Sequence, residues 1–194
     1  MKSELTFDEA THRYIMNGNV VPSVTQIIDS VFPFEGSGIV VQRAADFGKA
    51  VHKAIEIINN PKLNLDLSTV ADSIKPYLDQ YERFMRDHVT DEIFGETKFY
   101  SKNYGYAGKI DIVSDVVIDI KTSTSANPKN RLQVAAYRHG WNENFKKCKI
   151  KEGWVVYLGG TENEPKIERE QPSDFNVFLS CLEIWKFKQK ESLK

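Results

Sequence analysis

Two hydrophobic periods divide this chain, and the shorter one carries the charge. From Glu96 to Lys121 the sequence reads ETKFYSKNYGYAGKIDIVSDVVIDIK, in which apolar β-formers are interrupted by acids and lysines. In Lys109-Ile110-Asp111-Ile112-Val113 the charges fall on odd positions and the isoleucines on even ones, and Val117-Ile118-Asp119-Ile120-Lys121 keeps that parity. Side chains along a strand alternate faces, so the pattern predicts two strands, each with an apolar face and a face bearing Asp or Lys. Ser114, Asp115 and Val116 between them suit a three-residue hairpin loop. That loop sets Val113 opposite Val117, Asp111 opposite Asp119 and Lys109 opposite Lys121. A two-residue loop would mix acids with isoleucines on both faces, which the hydrophobic pattern disfavours.

The remaining elements follow from the same reading. Leu5 to Val21 predicts short strands with a tight turn at Asn17-Gly18. Val24 to Phe32 predicts a first helix, with Ser23 as its N-cap. Pro33 to Gly38 breaks it, Ile39 to Ile58 forms a second helix, and Asn59-Asn60-Pro61 stops that one. Ser68 is expected to cap a third helix running to about His88, with Pro76 either kinking it or dividing it in two. Its apolar positions Ile74, Tyr77, Leu78, Tyr81, Phe84 and Met85 share one face and predict core packing. Strands are expected over Glu92 to Tyr100, Tyr106 to Val113 and Val116 to Lys121. A helix then opens at Asn127-Pro128 and runs to about Phe145. Glu152 to Leu158 and, more weakly, Lys166 to Arg169 read as strands, and Ser173 to Lys190 as a closing amphipathic helix. The order predicts an α/β fold: a central mixed β-sheet flanked by helices, with a helical N-terminal half. Residues 1–194 are read as one domain, with an N-terminal hairpin and helical part over 1–91 and a β-β-β-α-β-α core over 92–194. The segment between Lys121 and Trp154 is long enough for a parallel crossover.

Composition narrows the classes. Of 194 residues 41% are hydrophobic, enough for a core, and the net charge is −1. No apolar run follows Met1-Lys2-Ser3-Glu4, and none reaches the length of a membrane span, so a cytoplasmic protein is expected. The two cysteines, Cys148 and Cys181, form neither a zinc pattern nor a disulfide framework. Charge distribution is more informative than the sum. Between Asn127 and Lys151 stand seven basic residues (Lys129, Arg131, Arg138, Lys146, Lys147, Lys149, Lys151) and one acid, Glu143. Such a segment lines a nucleic-acid path or is a solvated face.

Candidate chemistry centres on the hairpin. Two facing carboxylates, roughly 5 Å apart at Cβ, repel unless a cation lies between them. Hard ions such as Mg²⁺ take such oxygens. Lys121 beside them is placed to orient a water or to meet charge on a phosphate. The alternative is an ordinary surface ion pair. His52 and Glu56 share a helix face, and a neutral imidazole is a competent metal ligand. Gly108 permits a close backbone approach or marks a bulge. Ser23 and Thr25 either cap their helix or meet a phosphate. The polar loop after Lys121 offers the hydroxyls of Thr122 and Ser123.

These residues resemble, in order, the motifs of the PD-(D/E)xK nuclease superfamily, and more nearly its RecB-like branch and the related phage-type and mitochondrial genome maintenance exonucleases. The matching pieces are Gly48-x-x-x-His52-x-x-x-Glu56, Glu96, Gly108-x-x-Asp111, Asp119-Ile120-Lys121 and Gln133-x-x-x-Tyr137. A further likeness is the stretch from His12 through Pro22-Ser23-Val24-Thr25, similar to an opening of phage-type members. The resemblance implies a restriction-endonuclease-like core and one or two Mg²⁺ or Mn²⁺ ions held by His52, Glu96, Asp111, Asp119 and the Ile120 carbonyl. It implies Lys121 as the catalytic lysine and Gln133 and Tyr137 as helpers that place it and the substrate. DNA contacts are expected from Ser23, Thr25, Arg43, Thr122, Ser123, Lys129, Arg131, Tyr137 and Arg138. Two departures are small: Asp111 follows Ile rather than Pro, and Asp119 stands where other members carry Glu. Some relatives hold an iron-sulphur cluster on four cysteines; two cysteines cannot supply one.

The activity implied is metal-dependent DNA exonuclease in recombination, replication or repair, on single strands or duplex ends. A structure-specific or nicking endonuclease and a non-catalytic nucleic-acid-binding module are the alternatives. Expected partners are DNA and a helicase, single-strand-binding or annealing protein, in a host cytoplasm if the chain is phage-encoded.

Overall fold

The computed structural model describes residues 4–8, 11, 13–33, 36–60, 62–90 and 94–192. It opens with a three-stranded antiparallel sheet, β1 (Leu5–Asp8), β2 (Arg13–Met16) and β3 (Asn19–Val21). Asn17 (φ 50°) and Gly18 (φ 82°) make the tight turn between β2 and β3. Two positive-φ residues in sequence match the right-handed twist of a hairpin. Ser23 then caps α1 (Val24–Asp29): its hydroxyl accepts from Gln26 N–H at 3.0 Å, and the Gln26 side chain accepts from Ser23 N–H at 3.0 Å. α2 (Ile39–Asn59) ends at Asn60.

The third helix is shorter than its sequence pattern. Ser68 is no cap; it sits in a turn whose Asp66 carboxylate accepts from the Ser68 N–H and hydroxyl. α3 runs from Lys75 to His88 with Pro76 in its first turn, where the missing N–H costs nothing. Proline therefore starts this helix instead of kinking it.

The core is built on β4 (Thr97–Ser101), β5 (Tyr106–Ile110), β6 (Ile112–Val113), β7 (Val117–Lys121), α4 (Pro128–Asn144), β8 (Gly153–Tyr157), β9 (Lys166–Arg169) and α5 (Asp174–Ser192). β6, β7, β8 and β9 form a mixed sheet in that order, with β7 and β8 parallel across the α4 crossover. β4 and β5 pair antiparallel beside it. Glu92 and Ile93, expected at the start of β4, lie outside the described residues. Phe94, however, bridges Val113 in the register that pairs Thr97 with Ile110. The β4–β5 ribbon thus continues into β6, interrupted at Asp111. This is the α/β arrangement predicted: a central mixed sheet, flanked by helices, after an N-terminal part of strands and helices.

Two features depart from the alternation argument. First, both faces of the sheet are buried. One packs on α1, α4 and α5 through Val113, Val117, Val155 and Tyr157, and the other on α2 and α3 through Ile112, Ile118, Ile120 and Val156. A parallel pair covered on both sides reads as near-continuous hydrophobics, and Asp119 on the α4 side is consequently a core residue with 2% exposure. Second, Ile110 and Ile112 are two apart yet belong to opposite clusters, because the chain bends and turns over at Asp111. Val113 still pairs with Val117, as the three-residue loop requires. Lys109 does not reach Lys121; beyond the bend its backbone pairs with Lys98.

Candidate active site

The turnover at Asp111 creates the site. Beyond Ile112 the neighbouring strand no longer pairs with β7, so the Ile120 N–H would lack a partner. The Asp111 carboxylate takes that role, Oδ2 accepting from Ile120 N–H at 2.9 Å. Lys121 C=O accepts from Leu158 on the other edge. Successive residues of a strand direct their polar groups to opposite edges, so the Ile120 carbonyl points to the Asp111 side with its N–H. His52, on α2, presents Nδ1 to the same Oδ2 at 3.5 Å.

Asp119 Oδ2 lies 2.8 Å from Lys121 Nζ. That oxygen is fully buried and takes no well-aligned hydrogen bond from any described group. Lys121 donates instead to Gln133 Oε1 at 3.1 Å, and Gln133 Nε2 donates to the Tyr137 hydroxyl at 2.7 Å. The two residues four apart on α4 therefore form one relay, which fixes the lysine head. Gly108 explains how α4 comes so near: a Cβ there would stand 2.7 Å from the Phe99 ring and 2.9 Å from the Tyr137 ring. Side chains, not backbone, make the close approach, and Gly108 lies within regular β5 pairing. Gly48 similarly lets α2 approach Thr122, whose Oγ1 would be 3.2 Å from an added Cβ.

Burial and neighbouring charge set the protonation states. Desolvation raises the Asp119 carboxyl to about 6, with the Asp111 charge adding to the rise and Lys121 opposing it. Desolvation also pushes Asp111 upward, but His52, Lys121 and the Ile120 N–H more than reverse it, and the net shift is down. Burial would lower His52 and Lys121; the carboxylates they face raise both instead. The carboxylates beside Lys121 thus favour its ammonium form.

An inner cavity of 190 Å³ holds Asp111, Asp119, Lys121, His52, Gln133 and Tyr137, and Ser23 and Thr25 also line it. Phe7 and Tyr14 from the N-terminal sheet complete its wall. Neither residue is marked by any local signal in the sequence, since both come from strands remote from the acids. Burial, with Glu96 and Asp111 nearby, raises the Tyr14 hydroxyl far above its usual range. An outer cleft of 610 Å³ continues from His52, Lys109, Asp111 and Lys121 to Glu56, Glu96 and Thr122.

Not all expected residues converge. Glu96 sits at the register position opposite Asp111, but its carboxylate is paired with Lys109 Nζ at 2.7 Å. Ser23 is committed to the cap of a six-residue helix. Arg43 is exposed on α2 outside both linings, and Ser123 is exposed with its hydroxyl donating to Ser125 C=O. Three basic residues of α4 are engaged elsewhere: Lys129 with Asp29, Arg131 with buried Asp174, and Arg138 with Glu170. These cations tie α4 to acids elsewhere in the fold, which sequence spacing could not distinguish from a DNA-facing row.

Among the described residues no three His, Cys, Asp or Glu side chains converge as a ready metal centre. The donor chemistry nevertheless suits a hard divalent cation: a buried carboxylate lacking an aligned donor, a half-buried one, and an imidazole and a backbone carbonyl beside them. Lys121 supplies positive charge next to those acids in the structure, and His52 lies against Asp111.

No protein-family profile and no curated protein matches this chain. Among solved structures, it is similar to a crystal structure from Eubacterium rectale provisionally named an exonuclease, at 13% identity and a TM-score of 0.49, covering 87% of this chain and 74% of that one. The crystal structure of SSO0001 is similar at 15% identity and a TM-score of 0.38, covering 82% and 81%. Likenesses this distant bear on neither residues nor chemistry.

Proposed function

We propose that this chain is a metal-dependent deoxyribonuclease of the PD-(D/E)xK type, acting from DNA ends. The observation that carries this reading is the meeting of Asp111, Asp119 and Lys121 in one cavity. Two carboxylates are kept there, largely out of water, beside an ammonium that a relay holds in place. Taking carboxylates and an ammonium together out of water is costly even when they are paired, and packing alone does not require it.

His52, Asp111, Asp119 and the Ile120 carbonyl would hold the Mg²⁺ or Mn²⁺, with Glu96 reaching it only by leaving Lys109. Such an ion, when bound, acidifies a water and polarises the scissile phosphodiester. Lys121, as an ammonium, would offset the negative charge that grows on the phosphoryl oxygens as the nucleophile adds in line. Gln133 and Tyr137 keep its head from swinging into solvent. Phe7 and Tyr14 wall the cavity against bulk water, which strengthens these interactions.

End-labelled linear and circular DNA, single- and double-stranded, digested with and without Mg²⁺, tests the proposal. Linear strands should shorten only with metal, and closed single-stranded circles should survive. Asp119→Ala should abolish cleavage, and Lys121→Ala should slow it by about 10²–10³-fold. Cut circles would assign an endonuclease. Metal-independent cleavage, or an Asp119→Ala protein as fast as the parent, would overturn the nuclease reading.

A further inference from the structure

A second cleft, of 610 Å³, lies at the far ends of β5 and α4 and shares no lining residue with the cavity or the outer cleft. Its walls are the β4–β5 turn and the last turns of α4 with the loop beyond. Glu143 joins them, accepting from the Ser101 hydroxyl at 2.7 Å and from Asn103 N–H at 2.9 Å. Asn144 adds a bond from its side-chain amide to Tyr100 C=O at 2.9 Å. The turn and the helix end are thus fastened to each other.

Three lysines line this cleft: Lys102 from the turn, and Lys146 and Lys149 from the loop after α4. All three are exposed, and none makes an ion pair among the described residues. Here the basic segment from 127 to 151 divides. Its first three cations are engaged in ion pairs between elements, while Lys146 and Lys149 face an open cleft. Glu143 is the one acid in the lining, and its carboxylate already serves the wall. Tyr104 stands beside the amines, 37% exposed, held edge-on against Phe175 at 5.5 Å. Amines next to a fixed, open aromatic ring match a nucleic-acid strand better than an acidic peptide, because a base can stack where a glutamate side chain cannot.

The position fits as well. Tyr106 and Asp111 are five residues apart along extended chain, about 17 Å at about 3.4 Å per residue. Gln133 and Asn142 are nine apart on α4, about 14 Å at about 1.5 Å per residue. Both elements run from the acids to this cleft, roughly 15 Å away, a distance a few nucleotides of a single strand would span.

We propose that Lys102, Lys146, Lys149 and Tyr104 bind a single-stranded nucleic acid through its phosphates and one base, upstream or downstream of the Asp111–Asp119 cavity. The direction toward that cavity rests on the nuclease reading; the binding itself does not. The test is fluorescence anisotropy in EDTA, so that no hydrolysis intervenes, with labelled dT5 and dT15 between 50 and 200 mM salt. The probe protein is Lys146→Glu/Lys149→Glu, against a charge-matched Lys62→Glu/Lys190→Glu control, with thermal unfolding to verify the fold.

The parent should bind dT15 more tightly than dT5. The cleft variant should lose at least tenfold on dT15, and its salt slope should be shallower by about 1.4 or more, since each lost phosphate contact contributes about 0.7. Tyr104→Ala should weaken dT15 at unchanged salt slope. Equal losses in the cleft variant and the control, or none in either, would overturn the inference. So would poly-glutamate of the same charge binding the parent as tightly as dT15. A parent that shows this lysine-dependent binding but never hydrolyses DNA with Mg²⁺ would remove the nuclease reading alone.

Discussion

His139 shows how a single side chain can be set by what packs on it. Its ring stacks on Phe175 at 3.5 Å with the planes 2° apart. Burial, and then the neighbouring Arg138 charge, lowers its pKa from 6.5 to about 4. A histidine held neutral in the folded state contributes stability that is fully present above pH 6.5. As pH falls from 6.5 through 4 the unfolded chain gains the proton first, and that contribution is lost. Thermal midpoints measured across this window should therefore fall more steeply for the parent than for His139→Gln, the carboxylates being common to both. Parallel curves would show that the stacked ring is not held neutral. Asp119 obeys the same logic of burial with opposite charge, which is why its carboxyl rises to about 6 while Asp111, met by His52 and Ile120 N–H, is held down.

Among the elements, α4 links most of the molecule. Leu132, Val134, Ala135 and Ala136 pack in the core beneath the sheet, while Gln133 and Tyr137 reach Lys121. Arg131 reaches the opposite way and pairs at 3.1 Å with Asp174, which is buried at the start of α5. Arg131→Ala should destabilise the protein by about 1–3 kcal/mol, since it leaves a buried carboxylate with one fewer donor. A lowered unfolding midpoint at undiminished affinity for DNA is the expected result. A DNA-binding loss at unchanged stability would return Arg131 to the nucleic-acid surface that sequence spacing suggested for it. Much of this element was legible in the chain: its opening at Asn127-Pro128, Pro128 in the first turn and Gln133 and Tyr137 on one face all stand as read, and the structure adds Asn127 as its cap. The destinations of its cations were not, because Asp29, Glu170 and Asp174 are distant in sequence and only folding brings them near.

For the molecule as a whole, the central sheet divides two hydrophobic clusters and carries its acids between them. Divalent ions that bind the folded chain and not the unfolded one raise its stability by mass action, about 2.7 kcal/mol at a hundredfold excess over Kd. Under the proposed function, Mg²⁺ or Mn²⁺ should raise the unfolding midpoint of the parent and leave that of Asp119→Asn unmoved. Identical shifts in both would place the ion elsewhere. Among the described residues no helix is long and apolar enough to cross a membrane.

Local pattern sufficed for most of the elements, though not for the start of α3, and for the hairpin loop at Ser114 to Val116, because a strand's two-residue period and a helix's apolar stripe are properties of neighbouring residues. It could not reveal that β5 and β6 turn over at Asp111, since Ile110 and Ile112 have the same parity whichever cluster each enters. Nor could it bring Phe7 and Tyr14 to the cavity or assign Glu96 to Lys109. Those outcomes depend on which surfaces cover the sheet and which charges meet across it. Packing and electrostatics act between residues far apart in the chain, and only the folded arrangement brings them within range.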